Sequence, residues 1–295
     1  MVPDFLPTAT AQLTEPTSIA LAQQIQRCDI VTTIFPKPIA TSFVQGGDAG
    51  VPLLLLHGFD SSVLEYRRLF PQLAKAQETW AVDLVGFGFT ERHPGFPFGP
   101  HAIQTHLYHF WQTLIQRPVI LVGASMGGAA ALDFALSHPE CVQQLVLIDS
   151  VGFTEGVPPL VKLLFPPLDW LAVDFLRSPK LRQRASELSY TDQSLATPDA
   201  ALCGSLPLYM AGWHQANLTF MKTGGYPFLG ERIRQLAQET LILWGTQDKI
   251  LDPKYALCFQ EAIPHSKLIW IEQCGHVPHL EQPEIVSGHL LNFSS

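Results

Sequence analysis

Ser125 stands in the run Gly123-Ala124-Ser125-Met126-Gly127-Gly128, a G-x-S-x-G spacing. A serine hydroxyl is a poor nucleophile unless a base takes its proton and the backbone aims it. A tight strand-to-helix turn supplies the aim, and it demands small neighbours because a Cβ there would strike adjacent backbone. Gly123 and Gly127 meet that demand. The same turn points the free N–H groups of the following helix at the reacting centre. A glycine-rich turn with an idle serine would carry the same letters. The context decides against it, because an apolar run precedes Ser125 and the small-residue run Ala129-Ala130-Ala131 follows. Other polar groups read as structural. His101, His106 and His109 share one expected helix, but no cysteine or carboxylate joins them, so they read as helix surface and no metal is expected. No phosphate loop or dinucleotide fingerprint occurs, so no cofactor is expected.

The elements that must position Ser125 follow from the apolar runs. Val51–Leu56, Thr79–Leu84, Val119–Val122, Leu145–Ile148, Leu241–Trp244 and Leu268–Ile271 are continuous rather than alternating. Continuous runs mark strands covered on both faces, as in a parallel sheet. Helical stretches fall between them at about 64–76, 101–116, 127–138 and 253–262. The alternation predicts an α/β fold, a mostly parallel central sheet flanked by helices, with reactive groups at the carboxyl ends of strands. Between Ile148 and Leu241 no strand is evident. Pro158-Pro159, Pro166-Pro167 and apolar residues at helical spacing predict an inserted helical cap over residues 153–229. The core is then 30–152 with 230–295, and residues 1–29 read as a loose N-terminal arm with a short helix near 18–27.

With these elements in place, the chain from about residue 40 to 293 resembles the α/β-hydrolase family. In that family an acid and then a histidine follow the nucleophile in chain order. The resemblance carries the acid to Asp248, in Trp244-Gly245-Thr246-Gln247-Asp248, and the base to His276, in Cys274-Gly275-His276. His276 would take the Ser125 proton, and Asp248 would fix its tautomer and stabilise the cation. Asp149 also ends a strand and is the rival acid, since some members place the acid there. His279 reads as structural or pocket-lining. His57-Gly58-Phe59 matches the family's oxyanion loop, which implies the backbone N–H groups of Phe59 and Met126 as the oxyanion hole. His57 itself is expected to brace the loop by hydrogen bonds. Asp83–Thr90 resembles the turn that shapes the floor of the site.

Composition narrows the partners. The 295 residues include 47% hydrophobic and 15% charged types, which excludes a disordered chain. With 18 Lys and Arg against 26 Asp and Glu, the net charge of −8 and the lack of a basic run argue against nucleic acid. Five cysteines at irregular spacings read as reduced thiols. No secretory signal and no membrane span is evident, so the expected location is the cytoplasm, with peripheral membrane contact open through the cap or the arm.

The serine nucleophile departs from the Asp of haloalkane dehalogenases and epoxide hydrolases. Acyl transfer to Ser125 and hydrolysis is therefore expected. Cap residues Phe165, Trp170, Phe175, Tyr209, Trp213, Phe220 and Phe228 suggest an apolar small-molecule ester as substrate. Segments Leu53–Glu65, Glu78–Thr90, His109–Val122 and Thr223–Tyr226 resemble hydrolases of plants and cyanobacteria. The activity that resemblance brings forward is cleavage of the phytyl ester of chlorophyll, a chlorophyll dephytylase. A small-molecule receptor with little turnover, a thioesterase and a carbon–carbon hydrolase would need the same residues. Oligomeric state is not readable.

Overall fold

The computed structural model describes residues 2–154, 165–226 and 229–294. Its sheet has eight strands: β1 (Gln26–Ile30), β2 (Ile39–Gly46), β3 (Leu53–Leu56), β4 (Thr79–Val82), β5 (Val119–Ala124), β6 (Val142–Ile148), β7 (Glu239–Gly245) and β8 (Ser266–Ile271). They lie in the order β1-β2-β4-β3-β5-β6-β7-β8. β3 to β8 run parallel, while β2 is antiparallel to β1 and to β4. Chain direction along the sheet reverses around β3, which lies between β4 and β5. Ligands of open α/β sheets bind at such a switch point, outside the carboxyl ends of the strands.

Continuous apolar runs form here because both faces of the sheet are covered. Leu54, Leu56, Leu121, Leu147 and Trp244 pack on one side and Leu53, Leu55, Ile120, Val122 and Leu243 on the other. The second side is covered by Leu21 of α1 (Pro16–Ala22), Phe70 of α2 (Phe70–Leu73) and, at the carboxyl end of the chain, Val286 and Leu290. Leu107 of α3 (Pro100–Phe110) and Phe134 of α4 (Met126–Ser137) cover the first. Each of the four leucines of β3 is fully buried, at roughly 1.5–3 kcal/mol apiece.

Within residues 153–229 the described residues form four α-helices: α5 (Leu168–Phe175), α6 (Pro179–Ser189), α7 (Pro198–Ser205) and α8 (Trp213–Thr223). No strand occurs there among the described residues. The rest of the chain adds α9 (Gly230–Ile233), α10 (Lys254–Ala262), α11 (Pro278–Glu281) and α12 (Pro283–Phe293).

Three local expectations need correction. Residues 1–29 are not a loose arm. Leu6, Leu13, Leu21 and Ala22 are buried, and Gln26–Ile30 pairs with β2 in register. The Asp199 carboxylate of α7 accepts hydrogen bonds from Glu15 N at 2.9 Å and Ser18 Oγ at 2.6 Å, which ties this segment to the insertion. The helix expected at 64–76 is two short pieces, a 3-10 turn Val63–Tyr66 and α2. His106 is not on a surface. It is 2% exposed and hydrogen-bonds Thr41 Oγ1 of β2 at 2.7 Å. Burial, with the charge of His109 second, pushes its imidazole down to about 3, so it is neutral.

Candidate active site

Ser125 follows β5 and caps α4, with φ +52° and ψ −119°. An L-residue at positive φ is strained by about 1–3 kcal/mol and persists only where its surroundings enforce it. Here they do. A Cβ on Gly123 would overlap the Gly127 carbonyl, and one on Gly127 would overlap the Leu56 carbonyl, so both positions must be glycine. Ser125 N donates to Ile148 O at 2.9 Å, and Ser125 O accepts from Val151 N at 3.0 Å.

The structure brings the two distant partners to this serine. His276 Nε2 lies 3.0 Å from Ser125 Oγ, and His276 Nδ1 lies 2.8 Å from Asp248 Oδ2. The other Asp248 oxygen, Oδ1, accepts from Ile250 N at 2.7 Å and Leu251 N at 3.0 Å. Burial pushes the Asp248 carboxyl up, but the hydrogen bond and charge of His276 and the two backbone donors outweigh it and hold it below its ordinary value. An ionised Asp248 accepts the Nδ1 proton of His276 and leaves Nε2 as the acceptor for the serine hydroxyl. Both ring nitrogens are thus engaged.

Asp149 does not contact His276 by a hydrogen bond. It is fully buried, with φ +41°, and its Oδ1 accepts from Gly245 N at 3.0 Å. Geometry therefore selects Asp248 over Asp149 as the partner of the imidazole.

The loop after β3 passes beside the serine. A Cβ on Gly58 would come 3.4 Å from the Ser125 Cβ. Phe59 is the next residue, and Met126 N belongs to the first turn of α4, whose N–H groups have no helical acceptor. The two residues whose N–H groups are the expected oxyanion donors thus adjoin Gly58 and Ser125 in the chain. His57 braces the loop as expected: its Nδ1 is 2.8 Å from Gly58 O and its Nε2 accepts from Leu84 N at 3.1 Å.

Three supports were not legible in the sequence. Glu65 Oε2 accepts from Gly58 N at 3.0 Å, while Oε1 lies 3.1 Å from His279 Nε2. Burial pushes the Glu65 carboxyl up, yet the hydrogen bond and charge of His279 overcome this and bring it to about 2. His279 is thus both structural, through its contact with Glu65, and part of the cavity lining. Second, Asp60 follows the same loop and meets Arg182 of α6 and Trp213 Nε1 of α8, the latter at 2.6 Å. Third, His276 N donates to Ser189 O of α6 at 2.8 Å, and Glu281 accepts from Gly275 N, Thr191 N and Asp192 N. Each depends on residues far apart in sequence.

A cavity of about 360 Å³ opens over Ser125. Its core side includes Phe59, Ile250, Val277 and Leu280, and its insertion side includes Ala185, Ser186, Ala200 and Ala201. Tyr190 of the insertion lines it, but of the expected cap aromatics none among the described residues does. Trp213 and Phe220 are buried against the core, Trp213 on Asp60 and Phe220 on Phe59 and Phe87, whereas Phe165, Trp170, Phe175 and Tyr209 are 50–66% exposed. Phe228 lies outside the described residues.

The family model for the alpha/beta hydrolase fold matches residues 51–283. The chain is 34% identical to the alpha/beta hydrolase domain-containing protein VTE7 of Arabidopsis thaliana, over 99% of this chain and 90% of that protein. It is 31% identical to a 2-hydroxy-6-oxo-2,4-heptadienoate hydrolase of Pseudomonas putida, over 79% of this chain and 85% of that protein. A thermophilic esterase from Thermogutta terrifontis has the same fold, with a TM-score of 0.77 at 24% identity over 91% of this chain and 97% of that one. Strand order, serine turn and family match agree: the chain belongs to the alpha/beta hydrolase fold family and is a hydrolase.

Proposed function

We propose that the protein is a serine hydrolase that cleaves a carboxylic ester of a large apolar substrate through an acyl-enzyme on Ser125. The observation that carries this reading is the unbroken relay Ser125 Oγ–His276–Asp248, at 3.0 and 2.8 Å, on a strained serine. As Ser125 Oγ bonds to the ester carbonyl carbon, His276 Nε2 takes its proton. The N–H groups of Phe59 and Met126 receive the oxyanion, each worth about 3 kcal/mol of barrier. Collapse expels the alcohol, which takes the proton from His276. Water then repeats the sequence on the acyl-enzyme and frees the acid. The cavity volume suits one chain or ring system. For the phytyl ester of chlorophyll, the specific substrate we propose, part of the molecule then lies outside it.

A fluorophosphonate probe is expected to label Ser125. A p-nitrophenyl ester is expected to turn over many times, and Ser125→Ala is expected to abolish both. Tight ligand binding without turnover would favour a receptor instead. Incubation with chlorophyll a tests the finer reading: no chlorophyllide, beside turnover of the aryl ester, rejects the phytyl ester and leaves the esterase. The Pseudomonas putida relative favours a second reading, carbon–carbon bond hydrolysis. Cleavage of 2-hydroxy-6-oxo-2,4-heptadienoate faster than any ester would select it.

We also propose peripheral membrane contact. Leu168, Leu171 and Phe175 lie on one face of α5 and are 49–64% exposed, and Arg177, Lys180 and Arg184, which follow them in the chain, are exposed. Exposed apolar side chains followed in the chain by basic residues suit an anionic interface. No helix among the described residues is long and apolar enough to cross a membrane.

A further inference from the structure

Two carboxyl groups end neighbouring strands beside one imidazole. Atoms of Asp149, Asp248 and His276 all lie within 4.8 Å of one another, and all three residues are buried. Two carboxylates that close, out of water, do not both stay ionised. The hydrogen bonds decide which one keeps the charge. Asp248 accepts three donors, His276 Nδ1, Ile250 N and Leu251 N. Asp149 accepts one, Gly245 N on Oδ1, and its buried Oδ2 meets no donor among the described residues. The titratable groups facing Asp149 are Asp248 and His276, with Glu281 and the Cys274 thiol beyond. Of these only His276 gains a positive charge, and its Nδ1 proton is directed to Asp248.

We propose that Asp149 is a positioning residue for the triad: it stays a neutral carboxylic acid whose Oδ2–H donates to the Asp248 carboxylate, holding that carboxylate to His276. The inference rests on the reading of Asp248 as the triad acid. It explains why an acid occupies the end of β6 without touching the imidazole. It agrees with the titration of the pair, since burial first, and the Asp248 charge next, push the Asp149 carboxyl well above its ordinary value. The positive φ of +41° at Asp149 also limits what can replace it, and after glycine asparagine is among the residues that tolerate it best.

The test uses the full chain and three substitutions. Asp149→Asn keeps a donor without a charge, so kcat is expected within about threefold of wild type and the acid limb of kcat/KM unmoved. Asp149→Ser keeps a shorter donor, and Asp149→Ala removes it; kcat is expected to fall about tenfold or more in the alanine variant, with less loss in the serine one. An infrared difference spectrum, wild type minus Asp149→Asn, is expected to show the carbonyl stretch of a protonated carboxyl at neutral pH. An acid limb displaced by about one pH unit to lower pH in Asp149→Asn would overturn the proposal, because only loss of a negative charge beside the imidazolium does that. So would an infrared difference carrying carboxylate bands alone. Asp248→Asn separates the underlying reading: full activity there, with Asp149→Asn dead, overturns the assignment of Asp248 rather than the protonation of Asp149.

Discussion

Ser125 holds a backbone conformation that its own side chain disfavours, with φ +52°. Glycine enters that region without strain. Ser125→Gly is therefore expected to raise Tm by a few degrees while kcat falls by roughly 10⁵-fold or more, and a melting curve beside an ester assay checks both. Glu65 makes a second residue-scale prediction. Its carboxyl ionises at about 2 when folded against an ordinary 4.5, so the folded state binds fewer protons between those values. Stability from this group is present above pH 4.5 and is lost as pH falls towards 2. Urea unfolding from pH 6 to 2.5 is expected to show a shallower loss for Glu65→Gln than for wild type, with the variant less stable at pH 6. Ser125 was legible because its backbone imposes small residues at fixed offsets. The choice between Asp149 and Asp248 was open from residues alone, because both follow apolar strands and only the distance to His276 separates them.

At the scale of elements, the central strands could be read because full burial on both faces leaves an unbroken apolar run. β1 and β2 could not. Gln26-Arg27-Cys28-Asp29-Ile30 lies at the sheet edge, half-exposed, and its polar residues conceal the pairing. The expected helix at 64–76 fails for a different reason: Pro71 starts a new helical turn at α2, and Asp83 Oδ1 binds Val63 N at 2.7 Å to fix the turn before it. The histidines of α3 look superficial in sequence, yet His106 docks that helix on β2 through Thr41. Its imidazole is neutral down to about 3 when folded but takes a proton near 6.5 when unfolded. The unfolded state therefore binds more protons in that window, and stability falls as pH drops from 6.5 towards 3. His106→Gln keeps a donor for Thr41 and is expected to flatten that dependence, as read from Tm between pH 7 and 4.

At the scale of the molecule, charge and apolar surface are unevenly placed. The net charge is −8, yet the exposed apolar face of α5 is followed in the chain by the exposed Arg177, Lys180 and Arg184. Flotation with anionic vesicles is expected to carry the wild type and to lose it with Leu171→Asp, while turnover of a soluble aryl ester is unchanged; flotation of both, or neither, counts against α5 as the contact. The contacts that join the insertion to the rest of the molecule include Asp199 on the segment around Glu15, Asp60 against Arg182 and Trp213, and Ser189 O on His276 N. The last of these bears on modularity. An insertion between two strands looks exchangeable, a cassette that sets substrate choice while the base stays with the core. Here the backbone of the base is itself anchored in the cassette, and Glu281 grips Thr191 and Asp192 from the other side. A chimera that swaps the segment at the strand ends would exchange the anchorage of His276 along with the substrate wall. Transplants that keep residues 189–192 native are the ones in which specificity and catalysis can be varied apart.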